Sequence, residues 1–139
     1  MTKGFILFLN LAVVFYFASG SITGKWRLIQ YKNLTTGQIE NEPPEFKDRD
    51  VMTFYFQDKG NSGKFKGKTI RNDVYGEYTL MPNNKIKVFN FGGTKVGEPE
   101  WGGKFWSSIR VSSSFKISND TLAIFYENKK KCMVFIRRI

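Results

Sequence analysis

The sequence contains no histidine and a single cysteine, Cys132. Without histidine, neither a Ser-His-Asp site nor a Cys-His site can be assembled, and histidine-containing zinc sites are excluded as well. One cysteine cannot form a disulfide within the chain. Cys132 lies in the apolar run Cys-Met-Val-Phe-Ile, for which we predict a buried, unreactive thiol that alternates into the core on the last strand. The sequence therefore predicts no catalytic histidine or cysteine chemistry, no metal site and no cofactor.

Carboxylates are the remaining class of catalytic group, because paired acids can hydrolyse glycosides when they are held about 5–10 Å apart. The possible pairs come from Glu40, Glu42 and Glu45 in a proline-rich loop and from Glu98 and Glu100 before an apolar segment. Glu98 and Glu100 have another explanation, because acidic residues are favoured in the first turn of a helix. Neither group shows the spacing that catalysis needs, so we expect that the protein is not an enzyme.

Long apolar runs are also scarce, and the longest, from Phe5 to Phe17, is interrupted by Asn10. A bilayer core of ~30 Å needs about 20 apolar residues in a helix, so this run is short for a membrane span. Lys3 precedes it, and the small residues Ala18–Ser21 follow at the position that signal peptidase reads. We predict a signal peptide over residues 1–20 and export to the periplasm or the extracellular space, with an uncleaved anchor as the alternative.

Acidic residues are few: the sequence has 12 acidic and 22 basic residues, which gives a formal net charge of +10. Such a surplus favours contact with anionic surfaces such as acidic glycans or lipid headgroups. The lysines are spread along the chain, and the densest run, Lys129–Lys131, fits a hairpin turn. We therefore expect a monomer without a nucleic-acid partner. The candidate partners are an envelope protein, a glycan or a lipid surface, and the alternative is a basic protein without a polyanionic partner.

Aromatic residues are abundant at 17%, which is enough for the core of one domain over residues 22–139. Short apolar runs between turn residues predict about eight antiparallel strands. Trp101, Phe105 and Ile109 recur at helical spacing, which predicts one short helix near 98–111. The expected fold is mainly β (α+β), a curved sheet or small barrel with this helix at its open end. The predicted strands cover residues 25–31, 51–57, 64–70, 75–81, 85–91, 115–118, 121–127 and 132–137.

The order of motifs from Thr53 to Arg138 resembles that of the META domain family, small bacterial envelope and stress proteins also described as heat-shock-protein-J-like. The motifs are Ser62-Gly63, Asn72 with Gly76-Glu77-Tyr78, an apolar strand, Thr94, a short helix and two closing strands. The resemblance implies a META-like domain of the cell envelope without an established enzyme activity. Many relatives carry cysteines beside the Asn and the Thr, where this chain has Ile70-Arg71 and Lys95-Val96, so a family disulfide is absent.

A second resemblance starts at Gly24-Lys25-Trp26, which is similar to the Gly-x-Trp motif of lipocalin-like barrels. In such barrels an arginine of the last strand stacks on the tryptophan, and Arg137 or Arg138 has that position here. A guanidinium over an indole contributes ~0.5–2 kcal/mol and would close one end of the barrel. The alternative is that Trp26 is an ordinary core residue.

A candidate interaction surface consists of Trp101, Phe105 and Trp106 beside Gly102-Gly103, although a helix packed on a sheet would have the same pattern. The resulting hypothesis is an exported, non-enzymatic interaction or stress-associated module. The alternative is a lipocalin-like carrier of a small hydrophobic ligand, with phenylalanines lining a cavity instead of filling a solid core.

Overall fold

The structure of the protein is a computed structural model, and it describes residues 20–139. The predicted signal peptide, apart from Gly20, lies outside the described residues. Within residues 20–139, no helix is both long and apolar enough to cross a membrane. The elements are β1 Gly24–Asn33, β2 Ile39–Asn41, a 3-10 turn at Pro44–Phe46, β3 Thr53–Lys59, β4 Ser62–Lys68, β5 Asp73–Met81, β6 Lys85–Gly93, α1 Glu100–Ile109, β7 Ser112–Ser118, β8 Thr121–Tyr126 and β9 Lys131–Arg138.

All nine strands belong to one antiparallel sheet in the order β2-β1-β3-β4-β5-β6-β7-β8-β9. Strand β1 also pairs with β9, from Lys25↔Arg138 to Asn33↔Lys131, so the sheet curves round into a ring. The ring is weakest between β6 and β7, where Lys85↔Ser114 is the one register pair among the described residues. The predicted mainly β fold, a curved antiparallel sheet with one short helix, is confirmed.

The structure corrects several predicted boundaries, among them the end of the helix at Ile109 instead of residue 111, and adds one strand. Helix α1 begins at Glu100 instead of residue 98, because Pro99 is extended and restricts the residue before it. Ser112 begins strand β7, whereas the serines at 112–114 were expected only to end the helix. The unpredicted ninth strand, β2, has three residues, too few to show a periodicity, and pairs with β1 at Gln30↔Asn41.

The inner face of the sheet packs large rings against glycines on the neighbouring strand. Phe65 on β4 is the register partner of Gly76 on β5, and Gly63 is the partner of Tyr78. A Cβ atom on Gly76 would lie 2.5 Å from the Phe65 ring, and one on Gly63 would lie 2.3 Å from the Tyr78 ring. The absence of a side chain at these glycines therefore makes room for aromatic rings inside the ring-like sheet.

Helix α1 inserts its apolar face into the same interior. The Phe105 ring stacks on the Phe54 ring with 4.1 Å between centroids, and Trp101 meets Tyr31 edge-on at 4.7 Å. The Tyr31 hydroxyl donates a hydrogen bond of 2.6 Å to the backbone carbonyl of Trp101, and burial raises the pKa of Tyr31 above its usual value. The helix is thus joined to β1 and β3, and it contributes core residues as the i, i+4 spacing predicts.

Cys132 is buried, as predicted, but it is not part of the central core. Met133 and Phe135 point inward and are fully buried, so Cys132 has the opposite parity on β9. Its register partners are Lys32 on β1 and Phe125 on β8. The prediction that Cys132 alternates into the core was therefore wrong in direction. Burial still raises the pKa of its thiol, which lowers the fraction of reactive thiolate.

Candidate functional site

The three aromatic residues of the predicted interaction surface do not share one exposed face. Trp101 and Phe105 are buried in the core, and only Trp106 is partly exposed. The prediction is therefore wrong for Trp101 and Phe105, because residues four apart on a helix point to the same side and that side packs on the sheet. Of the two interpretations of this segment, the core interpretation is the correct one for these two residues.

Trp106 is held in place from several sides. Its Nε1 donates a hydrogen bond of 2.8 Å to Glu98, its ring meets Phe91 edge-on at 5.0 Å, and the Arg110 guanidinium lies 5.7 Å from its centroid. Glu98 also accepts hydrogen bonds from the Thr69 hydroxyl and, at 2.8 Å, from the backbone N–H of residue 71. Glu98 therefore fixes the segment before α1 to the β4–β5 connection and is engaged by neutral donors.

The other carboxylates that were considered as catalytic pairs either pair with a cation or are exposed. Glu42 forms a buried ion pair of 3.0 Å with Arg27, whose guanidinium also donates to backbone carbonyls of the loop after β2. Glu40 pairs with Lys104, and this hydrogen bond raises the pKa of Lys104. Glu100 is exposed and lies 3.6 Å from the same Lys104 ammonium, and Glu45 is exposed. These arrangements anchor a loop and a helix to the sheet.

The motif residues Asn72 and Thr94 are joined directly. The Thr94 hydroxyl donates to the Asn72 side-chain oxygen at 3.0 Å, and the same oxygen accepts from the backbone N–H of Val96 at 2.7 Å. The Asn72 amide nitrogen donates to the Val96 carbonyl at 2.8 Å. One side chain thus holds the chain after β6 against the start of β5, and the contacts explain why the two residues occur together.

The structure also brings Trp26 and Arg137 together. They are register partners on β1 and β9, and the guanidinium carbon of Arg137 lies 4.2 Å from the centroid of the Trp26 ring. Trp26 is fully buried, and its indole N–H donates a hydrogen bond of 2.9 Å to the carbonyl of Ile22. Of the two arginines named from the sequence, Arg137 is the one that stacks, and it covers the tryptophan where the first and last strands meet.

The outer face of the sheet carries a row of alternating lysine and tyrosine residues. Lys25, Tyr55, Lys66 and Tyr75 are successive register partners across β1, β3, β4 and β5. The two tyrosines are 55% and 60% exposed, which is unusual for residues of this size. This Lys–Tyr row therefore presents aromatic area and positive charge on one line across the strands.

A groove of about 490 Å³ runs beside the Lys–Tyr row. Gln57, Lys64 and Glu77 are register partners that form its second wall, and the Glu77 carboxylate accepts a hydrogen bond of 2.7 Å from Asn90. Between the walls lie Phe65 and Gly76, which point inward, so the floor is backbone. We call this feature the outer groove.

A β-bulge shapes one end of the outer groove. The register between β5 and β6 shifts between Tyr75↔Gly92 and Glu77↔Phe89, so that β6 has one extra residue there. Asn90 has a positive φ of 50°, a conformation that asparagine tolerates better than most residues. The bulge returns Phe91 to the core and places the Asn90 amide beside Glu77 at the groove.

The lysines of the groove form no ion pair, although Lys64 lies opposite Glu77 in the register of β4 and β5. None of the ion pairs of the described residues involves Lys64 or Lys66. A second groove, of about 390 Å³, lies on the other side of the Lys–Tyr row and contains both lysines and aspartates. The row is thus a ridge between two grooves, and the outer groove holds two lysines against one glutamate.

The strands of this groove were predicted from the sequence, but its residues were not predicted to form a site. The available signal was the alternation Lys64-Phe65-Lys66 with Tyr55 and Tyr75 on neighbouring predicted strands. Alternation shows that these side chains point away from the core. Only the register between strands shows that they form one row.

No protein-family model and no curated protein sequence matches the chain. Among solved structures, the chain is similar in fold to a DUF4847 family protein from Bacteroides vulgatus, with a TM-score of 0.61 and 14% identity. The similarity covers 84% of this chain and 93% of that chain. At this level of identity the comparison supports the fold alone.

Proposed function

We propose that the chain is an exported, META-like interaction module of the bacterial envelope, not an enzyme, and that it contacts an anionic partner through the Lys–Tyr row and the outer groove. The single observation that carries this proposal is the row of register partners Lys25, Tyr55, Lys66 and Tyr75 on an exposed face. Large aromatic side chains that remain exposed are typical of a binding surface, and lysines that form no ion pair add attraction for anions.

Two features of the described residues support the non-enzymatic part of the proposal. The glutamates with buried or partly buried carboxylates are bound to Arg27, to Lys104 or to the donors around Trp106. The outer groove contains one carboxylate, Glu77, and it is hydrogen-bonded to an amide. A pair of acids that could divide the roles of proton donor and base requires two carboxylates facing one space. Glu40 and Glu100 approach one another, but the Lys104 ammonium contacts both of them.

The packing of the interior favours the interaction module over the lipocalin-like carrier. Six of the largest side chains are fully buried and occupy the inside of the ring. They contact each other, as in the stacked pair Phe54–Phe105 and in Phe56 against Phe65 at 5.0 Å. The six residues are Trp26, Tyr78, Phe54, Phe56, Phe105 and Phe135. They have the contacts expected of a solid core.

The proposed export requires a domain that folds without the residues before the predicted cleavage position. The Ser21 hydroxyl and the Ile22 backbone N–H both donate to Asp58, and Ile22 is fully buried. A chain that begins at Ser21 keeps these contacts. Mass spectrometry of the protein from its native host should therefore show a start near Ser21 or Ile22, and recovery of the full-length chain from the cytoplasmic fraction would contradict export.

Binding is tested by co-sedimentation of the purified protein with the envelope fraction of its host at low and high salt. The variant Lys64→Glu/Lys66→Glu should lose most of its binding at low salt, because it reverses the net positive charge of the outer groove. The matched control is Lys129→Glu/Lys130→Glu, which changes the net charge by the same amount at the β8–β9 turn. Equal loss in both variants would show that only net charge acts and would overturn the proposed surface.

A further inference from the structure

The outer groove is chemically divided, and its two walls suit different parts of one ligand. One wall presents the faces of Tyr55 and Tyr75, which are exposed aromatic rings. The other presents Gln57, Glu77 and Asn90, whose side chains offer both hydrogen-bond donors and acceptors. Lys64 and Lys66 stand on the middle strand, one on each wall. A ligand that fits has an apolar flank, many hydroxyl groups and negative charge.

We propose that the outer groove binds an acidic oligosaccharide. This inference rests on the proposed function and specifies its partner. Sugar rings have C–H faces that pack on tyrosine, hydroxyl groups that bond to amides and carboxylates, and, in uronic acids, carboxylates that pair with lysine.

The dimensions of the groove favour a short chain over a single ring. Its walls cross three strands, which are ~4.8 Å apart, and the walls are two residues apart along each strand, or ~6.6 Å. The floor is the backbone of Phe65 and Gly76, so a flat ligand can lie against it without meeting a side chain. The volume of about 490 Å³ is within the usual range for small-molecule sites.

The carboxylates distinguish this ligand from a single-stranded nucleic acid, which also stacks on aromatic rings in basic grooves. Glu77 lies opposite Tyr75 and is oriented by Asn90, so that its remaining lone pairs can accept hydrogen bonds. Asp73 and Asp50 lie in the adjoining groove on the other side of the row. Carboxylates accept hydrogen bonds from sugar hydroxyls, whereas phosphodiesters have no donor to offer them. The Glu77 carboxylate therefore favours a ligand that carries hydroxyl groups beside its negative charge.

The test is isothermal titration calorimetry of the purified protein with three probes: trigalacturonate, the neutral maltotriose and the oligonucleotide (dT)6. We expect trigalacturonate to bind more tightly than either of the other two. Tyr55→Ala and Tyr75→Ala should each weaken its binding by about tenfold, because each removes one stacking face. Tyr75→Phe should bind almost as tightly as the unchanged protein, because it keeps the ring. Ile39→Ala, at another exposed position, should have no effect.

Each alternative outcome overturns the inference. Tighter binding of (dT)6 than of trigalacturonate would identify the groove as a nucleic-acid site. Equal binding of maltotriose would show that the groove does not require carboxylates on the sugar. Trigalacturonate binding that is insensitive to both tyrosine variants would place the ligand elsewhere. If trigalacturonate does not bind while envelope binding still depends on Lys64 and Lys66, this inference fails and the proposed function stands. If trigalacturonate does not bind and envelope binding does not depend on Lys64 and Lys66, both this inference and the proposed function are wrong. Melting temperatures of the variants show that each is folded.

Discussion

Strands β3, β4 and β5 have an inner and an outer face that use aromatic residues in opposite ways. Inside, the rings of Phe65 and Tyr78 face glycines on the neighbouring strand and are excluded from water. Outside, Tyr55 and Tyr75 alternate with lysines and remain exposed. Because successive residues of a strand point to opposite sides, the same few residues form both faces. One face supplies stability, and in our proposal the other supplies recognition.

The sharpest test of this division compares two neighbours on β3. Phe54→Ala should lower the free energy of unfolding by ~3–5 kcal/mol, because Phe54 is fully buried and stacked on Phe105. Tyr55→Ala should change it by about 0.5–1 kcal/mol, because more than half of its side chain is already in water. Urea denaturation followed by circular dichroism measures both. Similar losses for the two variants would mean that the outer face also supplies core stability.

A second test adds a methyl group to glycines in two environments. Gly76→Ala should lower the free energy of unfolding by ~1–3 kcal/mol, since the new Cβ would lie 2.5 Å from the Phe65 ring. Gly103→Ala on α1 should raise it by ~0.5–1 kcal/mol, since nothing lies within 4 Å and alanine favours a helix. Thermal denaturation of both variants checks the pair. A neutral Gly76→Ala would show that the Phe65 ring can move aside.

A third test examines the pairing of β1 with β9, where Arg137 covers the buried Trp26. Arg137→Ala should cost ~0.5–2 kcal/mol, because it removes the guanidinium that lies over Trp26. Arg138→Ala removes the same charge at the next position, which is exposed, and should change stability by less than about 0.5 kcal/mol. The midpoints of urea unfolding at equal salt compare the two. Equal effects would attribute the stabilisation to charge alone.

The smallest effect is expected at Cys132, which has outer parity but is buried. Burial raises the pKa of its thiol, so less of it is thiolate at pH 8 than for a free cysteine with a pKa of about 8.5. Labelling by a thiol reagent should therefore be slow in the folded protein, should accelerate as the pH rises, and should become fast in denaturant. Rapid labelling of the folded protein at pH 8 would show that this part of β9 is open to water.

Alternation and helical spacing were sufficient to predict most of the fold. The run from Val51 to Gln57 predicts a strand, and the spacing of Trp101, Phe105 and Ile109 predicts the helix and its buried face. Cys132 was assigned to the wrong face because every residue of its run is apolar, and an unbroken apolar run does not show parity.

The outer groove depends on information that a single strand does not contain. Tyr55, Lys66 and Tyr75 become neighbours only through the register of β3, β4 and β5, and a shift by one residue would turn each of them inward. The β-bulge at Asn90 interrupts the alternation of β6, and a pattern of alternating residues does not predict it. The Trp26–Arg137 contact could be predicted, because the resemblance to lipocalin-like barrels implied that the first and last strands pair.

The pairing of β1 with β9 also determines when the protein can finish folding. Lys25 pairs with Arg138, so strand β1 remains without this partner until nearly all of the described chain has left the ribosome. Pairings so distant in sequence make the loss of chain entropy large before any contact is gained, and domains of this kind fold in milliseconds to seconds. For a chain exported as we propose, this delay favours translocation before the sheet has closed. A polypeptide that cannot close its sheet during synthesis stays extended long enough to be threaded through a membrane channel.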